Sequence, residues 1–437
     1  MSPAQRLAAA VVAVLLVVGI AVVAVVVTGG PIGVGDVPSA GPSASASTSE
    51  TPSGSDEPEP STAPLDEEEL LAILDEIEAE VEAIRGLPPA EIGPPELLTR
   101  AQLRDELEAI LEEDYPPDER DRDNRFLRAM GLLAADQDFA ELQLQLLGDG
   151  TLGFYDDQER RMVVVTDTGL DVGAMVTYAH EYTHALQDAA FDLDALDRDT
   201  EGEDDMAIAR TTLVEGDATI VMLVWAFNNL SPQELEEYAS GLEVPDTAGI
   251  PQWMVDQVSF TYETGLTWVG ALAGSPIAPQ FGPVDEAYAD PPDSTEQVMD
   301  ETLEAWRERE EPIEVEAPDI VGVLGEGWSE VEETTMGQAM IQIMLEYWGA
   351  PLAEAEAAAA GWGGDRVVVA NGPDDAFVAA WRLAWDASSD AGEFVAAYEA
   401  AAADLGFPVS VVEADGEVVV FHASSQDLLD RAEGALD

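Results

Sequence analysis

The chain has 437 residues, enough for two modest domains with appendages, and its 46% hydrophobic content excludes disorder throughout. It carries 90 acidic residues against 17 basic ones, all arginine, for a formal net charge of −73. That balance excludes binding to nucleic acid or anionic lipid by charge, and it implies adaptation to high salt, where self-repulsion is screened.

In chain order, residues 1–6 are expected to form a short cytoplasmic tail. Residues 7–27 are an uncharged apolar run preceded by Arg6, which predicts a transmembrane signal anchor with its N-terminus inside. Residues 28–64, rich in Pro, Ser, Gly, Ala and Thr, read as a disordered tether. The expected location is therefore the cell membrane, single-pass, with the folded part outside the cytoplasm. Ordered structure is expected from residue 65 in two parts, 65–330 and an α+β region over 331–437. Leu70, Leu71, Leu74, Ile77, Val81 and Ile84 form the stripe of an amphipathic helix over 67–84. Further helices are expected near 100–112 and 123–133, then a strand over 161–166 and a helix from 169 to 191 with Asp171 as its N-cap.

Residues 192–205 read as a solvated acidic loop. Asp197-x-Asp199-x-Glu201-Gly202 begins like a calcium loop, but Ile208 stands where that loop requires glutamate. A buried helix should follow, ending near Phe227. In the C-terminal part the pattern predicts a helix over 334–347, a strand over 366–370 and helices near 375–385 and 391–403. A hairpin of 409–412 with 418–421 and a last helix complete the chain. His422 closes a hairpin strand and reads as structural or exposed.

Two of the three histidines lie in His180-Glu181-Tyr182-Thr183-His184. On a helix this H-E-x-x-H spacing puts both imidazoles on one face, where they can hold one Zn²⁺ with the glutamate beside the water to be activated. Such a site needs a third protein ligand, and no histidine follows closely. Glu215, in Leu213-Val-Glu-Gly-Asp-Ala-Thr219 on the second helix, is the best candidate. Gly216 costs that helix about 1 kcal/mol relative to alanine, which a close helix–helix approach would explain. Without cysteine there is no thiolate ligand, no disulfide and no thiol nucleophile. Asp188, one turn after His184, is a candidate for orienting an imidazole.

The motif with Glu215-Gly216-x-Ala218 resembles the gluzincins, zinc metallopeptidases with a thermolysin-like site. The resemblance implies a zincin-like α+β fold, mostly helical, with a small mixed sheet beside the motif helix. It implies His180, His184 and Glu215 as zinc ligands and Glu181 as general base and acid. More closely, the chain resembles a group of bacterial membrane-anchored H-E-x-x-H proteins. The resembling stretches are Gly153-Phe-Tyr-Asp156, residues 180–188 with Phe191-Asp-Leu193, 213–219, and 288–297. That group implies a histidine shortly after Ser294-Thr-Glu-Gln297, where this chain has Asp300. An ionised aspartate cannot donate a hydrogen bond to an oxyanion, so Tyr155, Tyr262 and Tyr288 are candidate substitutes. The expected function is zinc-dependent hydrolysis of a peptide or protein substrate by a membrane-anchored ectodomain. The alternative, which rests on Asp300, is an ectodomain that retains zinc and binds peptides or an envelope partner without turnover.

Overall fold

The computed structural model describes residues 66–148, 151–166, 169–241, 247–300, 302–414 and 416–436. The expected membrane span at 7–27 and tether at 28–64 lie outside these residues. Among the described residues no helix is long and apolar enough to cross a membrane. This finding overturns the expectation of a single-pass membrane protein with an external catalytic part. The longest helices instead bury ionisable side chains against protein partners.

The first part begins with α1 (Glu67–Arg85), set by a reciprocal cap between Asp66 and Glu69 and ended by Gly86 in the left-handed region. It buries Leu70, Leu74, Ile77 and Val81, four of the six stripe residues. Then come β1 (Glu96–Leu98), α2 (Arg100–Asp114), α3 (Pro117–Ala129), α4 (Phe139–Gly148), β2 (Gly153–Asp156) and β3 (Arg161–Val165). The α3 helix starts earlier than its apolar pattern suggests because Pro117 fits the first helical turn. The strands form a mixed sheet in the order β1-β3-β2, with β1 parallel and β2 antiparallel to β3.

Next are α5 (Val172–Phe191), α6 (Leu193–Arg198), α7 (Asp204–Asn229), α8 (Pro232–Gly241) and α9 (Gln252–Leu272). The segment read as an acidic loop thus holds the short helix α6, capped by Asp192. The short helices α10 (Gly282–Ala289), α11 (Glu296–Met299), α12 (Leu303–Glu308) and α13 (Ile320–Leu324) lead into the C-terminal part.

That part holds β4 (Ser329–Thr334), α14 (Gly337–Tyr347), α15 (Leu352–Ala359), β5 (Trp362–Asn371), β6 (Phe377–Trp385), α16 (Ser388–Ala401), β7 (Val409–Ala414), β8 (Glu417–Ala423) and α17 (Gln426–Ala432). The sheet is antiparallel throughout, in the order β4-β5-β6-β8-β7. One expectation is corrected here: the helix read near 375–385 is strand β6. Its alanines suit a helix, but the segment pairs on both sides, with β5 and β8, and is buried along most of its length. The fold is α+β and predominantly helical. One core joins α2, α3 and α4 to the large sheet and α14–α16. A second is built from α1, β2, β3, α5, α7, α9 and α10, and this one surrounds the histidine motif.

Candidate metal centre

The Asp171 side chain caps α5 by accepting from the Ala174 N–H. The helix is buried over most of its turns. Tyr178 and Tyr182 donate hydrogen bonds to Glu78 and Glu82 of α1, while His180 and His184 meet Glu215 of α7. All are held within the same core, so the histidines cannot turn outward without unpacking the helix.

His180 and His184 are each 5% exposed and Glu215 is 3% exposed. The Nε2 atoms of the two histidines are 3.0 Å apart. Glu215 Oε2 lies 3.2 Å from His180 Nε2 and 3.6 Å from His184 Nε2. Three potential donors of one metal thus converge. A tetrahedron with ligand bonds of about 2.0–2.1 Å has edges of about 3.3–3.4 Å. The three separations bracket that edge, so the residues fit a small tetrahedral cation with little movement.

Charge and hydrogen bonding agree with this. Burial alone would raise Glu215, but His184 and His180 outweigh it and hold the carboxyl at about 2. Burial lowers His184, and Glu215 and Glu181 reverse this and lift it to about 9. Burial lowers His180. An ionised carboxylate beside two imidazoles places negative charge where a divalent cation would sit, and binding one would release the proton that Glu215 favours on His184. His184 Nδ1 is 2.8 Å from Gln187 Oε1. The Gln187 amide nitrogen donates to Val214 O and to Asp217 Oδ2, each at 3.0 Å, so its oxygen must be the acceptor for the imidazole. Nδ1 then carries hydrogen, and Nε2 is the nitrogen turned toward the triad.

Glu181 is 1% exposed, and its Oε2 accepts from the Tyr155 N–H at 3.1 Å. Oε1 is buried with no hydrogen-bond partner among the described residues. Burial pushes this carboxyl up to about 8, with Glu215 adding to the rise.

The three tyrosines separate. Tyr155 gives its hydroxyl to Asp188 at 3.0 Å, and Tyr288 gives its hydroxyl to Asp217 at 3.2 Å. Tyr262 of α9 reaches the triad: its ring stacks on His180 at 6.2 Å between centroids, and its hydroxyl hydrogen-bonds Glu215. Burial, then Glu215 and Glu181, raise this phenol well above its usual range, so it stays a donor. Glycine explains how α9 comes so close. A Cβ on Gly216 would sit 2.3 Å from Gly265 O, and one on Gly265 would sit 2.6 Å from Thr212 O. Only two glycines let these backbones touch, as Gly216 suggested, and Tyr262 lies one turn before Gly265.

Asp188 takes hydrogen bonds from Tyr155 and Leu193 N, and the imidazole partner is its neighbour Gln187. Asp300 is exposed, with its carboxylate on the Thr302 hydroxyl, and so does not line the buried triad. Gln187, Asp217 and Arg85 were not singled out in the sequence. The only local signal is Asp217 following Glu215 by two residues at the start of the apolar half of the helix. His422 is buried, with Nε2 2.7 Å from the Tyr398 hydroxyl and Nδ1 2.9 Å from Ala129 O, a satisfied core histidine.

A family model described as "Domain of unknown function (DUF8575)" matches residues 324–432, the stretch of the large sheet and not of the triad. No curated protein and no solved structure matches the chain.

Proposed function

We propose that this protein is a zinc-dependent peptidase of zincin-like type, with His180, His184 and Glu215 as ligands and Glu181 as general base. The observation that carries the reading is the convergence of three buried donors with an unpartnered glutamate oxygen beside them. Three protein ligands, rather than four, leave a coordination position for chemistry. Bound zinc would supply Lewis acidity, making water reactive near neutral pH and drawing charge from a carbonyl oxygen. Glu181 takes a proton from the attacking water on its free Oε1 and passes it to the leaving amine. Its raised proton affinity suits both roles, and the Tyr155 N–H holds the carboxylate in orientation. Tyr262, rather than a histidine near position 300, donates its hydroxyl hydrogen toward the oxyanion. The edge position of β2, next to Glu181, offers backbone groups for an extended peptide.

A second reading, metal retention without turnover, draws on the burial of every group at the site. One assay separates the two. The full chain, zinc-loaded, is incubated with a mixed peptide library in about 1 M salt, where the Debye length is about 3 Å. Cleavage lost both in Glu181→Gln and with chelator supports the peptidase. Zinc bound at one per chain with no cleavage supports the second reading.

A further inference from the structure

Behind the triad lies a chain of buried polar contacts that ends on the N-terminal helix. Arg85 is the last residue of α1 and is 2% exposed. Its Nε lies 2.9 and 3.0 Å from the two carboxylate oxygens of Asp217. Another guanidinium nitrogen donates to Asp285 of α10 at 2.7 Å. The guanidinium also packs over the rings of Phe281 and Phe191, at 4.5 and 5.7 Å from their centroids. Phe191 ends the motif helix, and its ring stacks on Tyr288, which itself donates to Asp217. Asp217 in turn receives the Gln187 amide, whose oxygen holds His184 Nδ1.

We propose that Arg85 is a positioning residue of the metal centre, acting through Asp217 and Gln187 on the imidazole of His184. This rests on the reading of the triad as a metal site. The physical reason is orientation. Asp217 is wholly buried, and the Arg85 guanidinium that contacts both of its carboxylate oxygens holds it in place; without that contact the carboxylate is free to turn. Gln187 would then lose one of the two acceptors, Asp217 and Val214 O, that fix which end of its amide faces His184. A flipped amide presents N–H to Nδ1, and the imidazole would have to carry its hydrogen on Nε2, the atom that faces the triad. Lysine cannot replace arginine here, because a point charge does not span Asp217 and Asp285 at once.

The test is zinc affinity by chelator competition on the full chain, for Arg85→Met, Gln187→Met and the double variant, with Glu80→Ala as control. Glu80 also docks α1, by accepting from the Trp225 indole, which lies outside the chain of contacts that runs through Asp217 and Gln187 to His184. Losing an oriented partner of a ligand typically weakens metal binding about 10–100-fold. Arg85→Met and Gln187→Met should each show that loss, the double variant should be no worse than Gln187→Met, and Glu80→Ala should bind zinc as wild type does. Nitrogen-15 labelling of the three histidines provides a readout that needs no metal: the His184 Nδ1–H resonance should shift in Arg85→Met and not in Glu80→Ala. If Arg85→Met fails to fold, Gln187→Met, which leaves the ion pair intact, and Arg85→Lys decide the matter. Wild-type affinity in these variants, or equal loss in Glu80→Ala, overturns the relay while leaving the metal site standing. A wild-type chain that holds no zinc overturns both.

Discussion

Replacing Gly265 by alanine should damage the site through the backbone alone. The new Cβ would lie 2.6 Å from Thr212 O and 3.0 Å from Gly216 Cα. Ordinary carbon contacts begin near about 3.5 Å, so α7 and α9 must part by roughly 0.5–1 Å. Overpacking of this kind costs about 1–3 kcal/mol. Alanine's helix propensity offsets about 1 kcal/mol, leaving a net loss of up to about 2 kcal/mol. Gly270, five residues on in the same helix, is the internal control. Its Cβ would meet nothing closer than 3.8 Å, so Gly270→Ala should stabilise by about 0.4–1 kcal/mol. The two alanines therefore act in opposite directions. Only Gly265→Ala should also move Tyr262 relative to Glu215 and weaken zinc binding. Urea unfolding of the full chain in about 1 M salt, with chelator competition for zinc, reads both quantities. If Gly265→Ala proves as stable as Gly270→Ala, with wild-type zinc affinity, the close helix contact does not set the site and the reasoning fails.

Tyr262→Phe should keep zinc and lower kcat about 10²–10³-fold, the usual effect of losing one oxyanion donor; steady-state kinetics on the peptide substrate checks this, and an unchanged kcat removes Tyr262 from the chemistry. Zinc at about 1,000 times its Kd should stabilise the fold by about 4 kcal/mol, seen as a rise in thermal midpoint that Glu215→Ala abolishes. Burial holds His422 down at about 4, below its unfolded value of about 6.5. The neutral folded form therefore stabilises the protein fully above pH 6.5, and that contribution is lost as pH falls toward 4, because the unfolded chain takes up the proton first. Compared with His422→Phe, the wild type should lose up to about 1.4 kcal/mol more per pH unit in that window; equal slopes would show that His422 takes up its proton as readily in the fold as in the unfolded chain.

What was legible in the sequence was what periodicity and residue scarcity could carry. The α1 stripe, the cap at Asp171 and the pairing of two rare histidines each depend on residues near one another in the chain. Glu215 was within reach because a zinc site with two histidines needs a third ligand. The α9 helix is not legible in the sequence, because Thr261, Gly265 and Gly270 interrupt its apolar face; one of these, Gly265, is the residue that makes room for the neighbouring helix. Without α9 there was no way to choose Tyr262 over Tyr155 and Tyr288. Strand β6 was misread because its environment comes from β5 and β8, far along the chain. Arg85, Asp217 and Gln187 come from three helices, and their relation exists only once those helices pack.

The most direct test of the central claim is metal content with zinc-edge X-ray absorption on the full chain. The account predicts one zinc per chain bound by two imidazoles and a carboxylate oxygen, retained in Glu181→Gln and lost in His184→Ala and Glu215→Ala. A chain that binds no zinc, or one whose zinc survives both ligand substitutions with an unchanged spectrum, would contradict it.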